Sequence, residues 1–285
     1  MIPTTLRRIA ILFGLLAASA LAEDIREGDG GHPLTRAELL QRLAGADFLL
    51  LGETHDNPLH HRARAALLRD LAASAGRIVL EQIDRGTRLD PALPLEEALE
   101  RAGFQRSAWQ WPLHEPVFTA ARERGMPLVG GNLGRADGRR IATQGEAAVD
   151  PALAALLAEA PLPETARREL DADLVDGHCG RLPAARLPNM RLAQRARDAS
   201  LALTLLEVGG APALLIAGNG HVRRDYGVPP LLTARAPTAR VVSVGFVEVT
   251  AGATPDPEAL RGRYDFVWFT PPVEREDPCA GLRMP

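Results

Sequence analysis

The sequence predicts an α/β protein with a mostly parallel central sheet flanked by helices and an all-helical insertion between the third and fourth strands. Three observations carry this. Short apolar runs recur at 48–51, 78–82, 127–131, 213–217, 240–248 and 264–270, a length and composition suited to strands buried on both faces. Segments of helical periodicity alternate with them, the signature of parallel βαβ units. From about 136 to 208 that alternation stops, and only helical patterning remains.

Taken in order, the chain opens with a processing segment. Arg7 and Arg8 precede a short apolar run at 9–18, and Ala20-Leu21-Ala22 reads as a cleavage site before Glu23. Residues 1–22 are therefore expected to be a signal peptide, and 23–285 a single exported domain. The run is too short to span a bilayer. Residues 23–33 read as a loose leader. Thr35, with Glu38 three residues on, forms a capping box that starts a helix. Helices follow at 60–73, 95–102 (after the breakers Pro91 and Pro94) and 116–124, with an aromatic loop at Trp109-Gln110-Trp111-Pro112. The insertion holds helices at 151–160, 163–175 and 189–208, separated by a Gly/Pro-rich loop at 176–183.

Bulk composition excludes some functions. A net charge of −3 gives no footprint for nucleic acid, and 4% aromatic residues supply no stacking platform for single strands. Cys179 and Cys279 are the only cysteines, and an even pair in an exported chain favours a disulfide. The alternative is a free thiol or ligand at Cys179, beside His178. There is no Cys-x-x-Cys-His haem attachment, no phosphate loop and no Gly-x-Ser-x-Gly elbow.

The residues that carry chemistry cluster by position. Gly52-Glu53-Thr54-His55 and Gly218-Asn219-Gly220-His221 each follow a strand, and the 78–82 run contains Glu81. In an open parallel sheet, ligands bind outside the carboxyl ends of the strands. Glu53, His55, Glu81 and His221 are therefore expected to meet at one edge, as a cradle for a metal ion or metal-bearing cofactor. The plainer reading has each Gly allowing a turn and Glu81 pairing with Arg85 or Arg88. His60 and His61 open the next helix, where adjacent side chains diverge, so at most one faces the site; the plainer reading there is a pair of solvated first-turn residues. Asn132 and Asn219 end two further strands, as turn residues or as groups that orient a ligand.

These segments resemble the ChaN-like haem-binding uptake family, within the wider Tiki/TraB/erythromycin-esterase superfamily. The matching stretches are Leu50 to Pro58, Val79-Leu80-Glu81-Gln82, Gly177-His178-Cys179-Gly180 with Leu182-Pro183, Ala193 to Asp198, and Ile216 to Arg223; the closing Tyr264-Asp265-Phe266-Val267-Trp268 is similar too. The resemblance runs over nearly the whole mature chain. It implies haem as ligand, with imidazole or phenolate on the iron (His55, His221, His178 or Tyr226) and arginines such as Arg195 and Arg223 on the propionates. It also implies a haem-linked homodimer and outer-membrane haem uptake machinery as partners. Family members are often outer-membrane lipoproteins; no Cys stands near residue 22, so a periplasmic protein is expected instead. The superfamily's hydrolase branches imply the alternative, a metal-dependent hydrolase in which a divalent transition metal sits among Glu53, His55, Glu81 and His221 and a glutamate activates water.

Overall fold

The computed structural model describes residues 23–280, apart from 29–30, 73–75, 251–252, 254–255 and 278. The expected leader at 1–22 lies outside the described residues. Eight strands form one sheet: β1 (Asp24–Glu27), β2 (Pro33–Leu34), β3 (Phe48–Leu51), β4 (Ile78–Asp84), β5 (Leu128–Asn132), β6 (Ala213–Ile216), β7 (Val241–Glu248) and β8 (Phe266–Thr270). Their order is β2-β1-β8-β7-β3-β6-β4-β5. The six strands from β8 to β5 are parallel, and β1 and β2 are antiparallel additions at one edge.

The expected loose leader is thus corrected to two strands. Ile25 is buried and pairs with Trp268 of β8. With only one buried side chain in Asp24–Glu27, the local sequence carries no alternation from which to read a strand.

The helices form two layers, and strand alternation assigns each layer its own core. Leu49 and Leu51 of β3 pack with residues of α1 (Arg36–Leu43), α2 (Pro58–Asp70), α3 (Leu95–Arg101) and α4 (Glu115–Glu123). Leu50 points the other way, into a core shared with α5 (Arg135–Gln144), α6 (Pro151–Glu159), α8 (Leu187–Val208) and α9 (Val228–Arg235). A buried leucine contributes roughly 1.5–3 kcal/mol, so these two clusters hold the sheet rigid beneath the site. Thr35 caps α1 with both halves of the capping box, as its spacing predicts.

Between β5 and β6 the chain is helical. Of its helices, α8 lies directly on β4, β5 and β6 and so belongs to the sheet's covering layer. The helix α7 (Glu164–Gly177) stands further out, over a small satellite cluster of Ala166, Leu170 and Tyr226. Cys179, just past α7, is bonded to Cys279 and ties the C-terminal tail to this helix. Among the described residues, no helix is long and apolar enough to cross a membrane.

The topology explains why distant motifs converge. β6 inserts between β3 and β4, so the carboxyl ends of β3, β6 and β4 lie side by side. These ends carry the first Gly-x-x-His, the second, and Glu81.

Candidate functional site

The four expected residues do come together at that edge. Glu53 accepts a hydrogen bond from His55 Nδ1 at 2.6 Å. Glu81 accepts one from the Gly218 amide at 2.7 Å, with its other oxygen 3.4 Å from His221 Nε2 and 4.0 Å from His55 Nε2.

The two motif glycines are there for room. Neither Gly52 nor Gly218 has a left-handed backbone, so turning freedom is not their role. A Cβ on Gly218 would stand 3.0 Å from His55 Nε2. A Cβ on Gly52 would stand 2.2 Å from Asn219 Oδ1. Asn219 in turn clamps β7, donating to the Phe246 carbonyl at 2.5 Å and accepting from its amide at 3.1 Å. Asn132 donates to the Glu81 carbonyl at 2.8 Å and fixes the strand that presents that carboxylate.

Glu53 sits in a shell built by α2 and α4. Arg64, fully buried, pairs with its second oxygen and also donates to His61 Nδ1 at 2.8 Å. His114 donates through Nε2 at 3.3 Å and Gln82 at 3.2 Å. His61 donates its other nitrogen to the His55 carbonyl at 2.8 Å. Burial, followed by the neighbouring imidazole, pushes His61 down to about 3; burial, followed by the Arg64 cation, does the same to His114. Both are neutral at pH 7. Burial also brings the Arg64 guanidinium down to about 9, partly countered by Glu81.

Glu81 has a different shell. His221 Nδ1 donates to Asp198 of α8 at 2.6 Å while Nε2 faces Glu81. Burial opposes a charge on this imidazole, but the two carboxylates outweigh it and raise its pKa to about 10. Burial likewise opposes the Glu81 carboxylate, yet His221 and then His55 hold it well below the usual carboxylate range. Burial pushes Asp198 up. Asp198–His221–Glu81 is therefore an imidazolium held between two acids.

His55 is the open member, with a side chain 46% exposed. Because the Nδ1–H is engaged with the Glu53 carboxylate, Nε2 is the ring nitrogen left on the side away from Glu53. Trp109 packs against this ring in a T-shaped arrangement at a centroid distance of 5.0 Å.

Other expected residues are engaged elsewhere. Tyr226 is buried and donates to Asp173 of α7 at 2.5 Å; burial, with Asp173 adding, pushes its hydroxyl far above the ordinary value. Arg223 is surrounded by Asp173, Asp225 and Glu169, which occupy its guanidinium. Arg195 donates to the Ala160 carbonyl at 2.5 Å. His178 is the C-cap of α7 and donates to the Leu174 carbonyl at 2.7 Å. Of the His pair, His61 reaches the Glu53 shell, while His60 accepts from the Thr54 amide and donates to Thr270 Oγ1, both at 2.8 Å. Both are buried, which corrects the solvated reading. Glu81 pairs with His221; Arg85 bonds Glu207 instead. Sequence reasoning missed Arg64, His114 and Asp198 as site residues. The one available hint was the aromatic loop, which ends just before His114.

Residues 39–232, more than half of the chain, match the family model described as haem-binding uptake, Tiki superfamily, ChaN. Among solved structures, one of cofacial heme binding to ChaN of Campylobacter jejuni aligns with TM-score 0.68 and 18% identity, over 87% of this chain and 97% of that one. At that identity the likeness shows the fold. An erythromycin esterase, the EreC H289N mutant in its open conformation, aligns with TM-score 0.41 and 16% identity, over 90% of this chain and 84% of that one. A succinoglycan biosynthesis protein aligns with TM-score 0.40 and 12% identity, over 80% and 73%. These last two are too distant to carry an argument. No curated protein matches the chain. With the family model spanning the β3 edge, α8 and the second Gly-x-x-His, this chain belongs to the ChaN haem-binding uptake family of the Tiki superfamily.

Proposed function

We propose that this chain binds haem at the carboxyl edge of β3, β6 and β4, with His55 meeting the iron, and that it serves haem or iron uptake as an exported protein. The carrying observation is the His55 side chain: half-exposed, next to Trp109, and oriented by the Glu53 bond so that Nε2 is its available donor. Imidazole nitrogen is a common haem ligand, and a carboxylate on the far ring nitrogen fixes the tautomer and raises its basicity. A ligand on a half-exposed side chain leaves one haem face open. That suits a second haem-bearing copy, in keeping with the cofacial heme of the Campylobacter jejuni protein. The same reading takes 1–22 as a cleaved leader, 23–285 as one periplasmic domain, the helical segment of about 136–208 as its insertion, and outer-membrane uptake machinery as the onward partner.

The test is a haem titration of residues 23–285 followed in the Soret region. A saturable shift that His55→Ala removes is the expected result. Absence of saturable binding overturns the haem reading, and an unchanged shift in His55→Ala overturns the choice of ligand.

A second reading, a divalent-metal hydrolase, has one observation in its favour: ligand atoms of Glu53, His55 and His114 lie within 4.8 Å of one another. The Arg64 cation already neutralises Glu53, and a divalent ion beside it meets like-charge repulsion. Glu53→Gln separates the two. It abolishes metal-dependent hydrolysis, while Gln keeps an acceptor for His55 Nδ1 and largely spares haem affinity.

A further inference from the structure

The C-terminal tail has no helix or strand among its described residues, yet it is held at both ends. It leaves β8 at the carboxyl edge of the sheet, where the Pro271 carbonyl accepts from Asn57 Nδ2 at 3.1 Å. Arg275 then donates to Asp56, the residue after His55, at 2.8 and 2.9 Å. The same guanidinium donates to Glu248 of β7 at 2.7 and 2.6 Å. Four residues on, within about 14 Å of extended chain, Cys279 is bonded to Cys179 at the end of α7. The tail thus runs from the turn of the first Gly-x-x-His to α7.

That helix stands at the other half of the site. Tyr226, whose hydroxyl donates to Asp173 of α7, lies 3.7 Å from where a Cβ on Gly220 of the second motif would stand. The helix is lightly seated. Of the 14 residues from Glu164 to Gly177, only Ala166 and Leu170 are buried. Asp171, Asp173 and Glu169 tie it further, to Arg191, Arg223 and Arg263, and ion pairs that solvent reaches hold an element weakly.

The bond between tail and helix is open to attack. Both cysteines are partly exposed. A Cβ added at Gly177 or at Gly180, on either side of Cys179, would meet nothing within 4 Å, so the space around the bond is clear. Cys179 has φ +57, a left-handed backbone that a residue with a side chain rarely adopts and that persists only while its surroundings impose it. Exposed disulfides are the exchangeable ones, in contrast to those sealed in a core.

We propose that Cys179–Cys279 is a thiol–disulfide exchange site, opened by a dithiol, and that it latches α7 to the tail between the two halves of the site. One thiolate of the dithiol attacks a sulfur of the pair and forms a mixed disulfide, and the other cysteine leaves and takes a proton. The second thiol of the dithiol then displaces the remaining cysteine and closes the dithiol's own disulfide. Two electrons and two protons pass to the cysteine pair. Opening leaves the tail on its Arg275 anchor and α7 on two buried side chains, so both move at the mouth of the site. This holds whichever ligand the site takes.

The test uses the full mature chain, folded with its disulfide, and dithiothreitol as the probe. Thiols trapped with iodoacetamide and counted by mass are expected to appear without urea, at a rate that low urea leaves unchanged. A rate that climbs with urea in step with global unfolding overturns the exchange site. Hydrogen exchange read by mass spectrometry then tests the latch. In the reduced chain, α7, the tail and the 220–226 turn exchange about a hundredfold faster, the order expected when a cross-link of typical strength is removed, while β3 and β6 keep their rates. Cys279→Ser gives the same pattern; should that variant fail to fold, the wild type reduced after folding carries the test alone. Unchanged exchange in α7 after reduction overturns the latch. So does a rise spread evenly over the sheet, which marks a general staple.

Discussion

The same string, Gly-x-x-His after a strand, is put to opposite uses at the two halves of this site. In the β3 half the histidine is half-exposed, and the charge of Glu53 is balanced by Arg64 beneath it. In the β6 half the histidine is buried and is itself the balancing charge, between Glu81 and Asp198. The difference lies in the helical layers. The α2 and α4 layer brings a buried cation and neutral imidazoles to Glu53; α8 brings a second carboxylate to His221. A motif fixes where a side chain stands, and the layer behind it fixes its charge.

That contrast gives stability two unequal pH arms. His60, His61 and His114 are buried and held near 4, 3 and 3, chiefly by desolvation, below their unfolded values. Their contribution is complete above about pH 6.5 and is lost as pH falls toward their folded values. Between about pH 6 and 4 the unfolded chain binds three more protons, a slope of about 4 kcal/mol per pH unit. Asp198, pushed up by burial, opposes this in part at the acid end. His221 is raised to about 10, so its contribution is complete below about pH 6.5 and is lost as pH rises through 10. It gives a shallower alkaline arm of about 1.4 kcal/mol per pH unit between about pH 6.5 and 9, above which Arg64, lowered to about 9, offsets it. Urea midpoints measured from pH 4.5 to 10 are expected to peak near pH 6.5. In His221→Gln the alkaline arm flattens while the acid arm stays steep. Arms of equal slope in wild type would break the assignment of charge to the two halves.

The next largest effect comes from removing the buried cation. Arg64→Leu leaves the Glu53 carboxylate without its ion pair, a change that typically costs about 3–5 kcal/mol. Adding Glu53→Gln removes the uncompensated charge and recovers most of the loss, as a double-mutant cycle by urea denaturation would read. If the two changes simply add, Arg64 does not balance Glu53.

How far the sequence reveals this site depends on where each partner comes from. Both histidines and both glutamates are legible because strand ends are visible as the limits of apolar runs, and parallel sheets place ligands there. The six parallel strands are legible for the same reason. Arg64 is not legible, since it lies mid-helix in a chain whose 33 basic residues are all arginine. Asp198 reads as one more charge on a helix until α8 is laid on the sheet. His114 sits at the start of α4, and its link to Glu53 exists only once both helices of that layer are packed. Local reasoning pairs Glu81 with Arg85 or Arg88, whereas the crossover that inserts β6 beside β4 supplies His221 instead. β1 depends wholly on pairing with β8.

The smallest effect tests the point where the two halves touch. Gly218 brings the second motif's backbone against the first motif's ring, with its amide on Glu81. In Gly218→Ala the new Cβ meets His55 Nε2 at 3.0 Å, so the ring must move by a few tenths of an ångström. His55 has room to do so because its outer side is open, and the backbone at 218 suits alanine. Global stability should therefore change by only about 1 kcal/mol, within the range of small overpacking changes. The His55 ring is expected to respond more than the fold does. A shifted Soret maximum or weakened haem affinity, with a urea midpoint close to wild type, is the expected pattern. A large loss of stability with an unchanged haem spectrum would mean that Gly218 serves the sheet edge and that His55 stands clear of it.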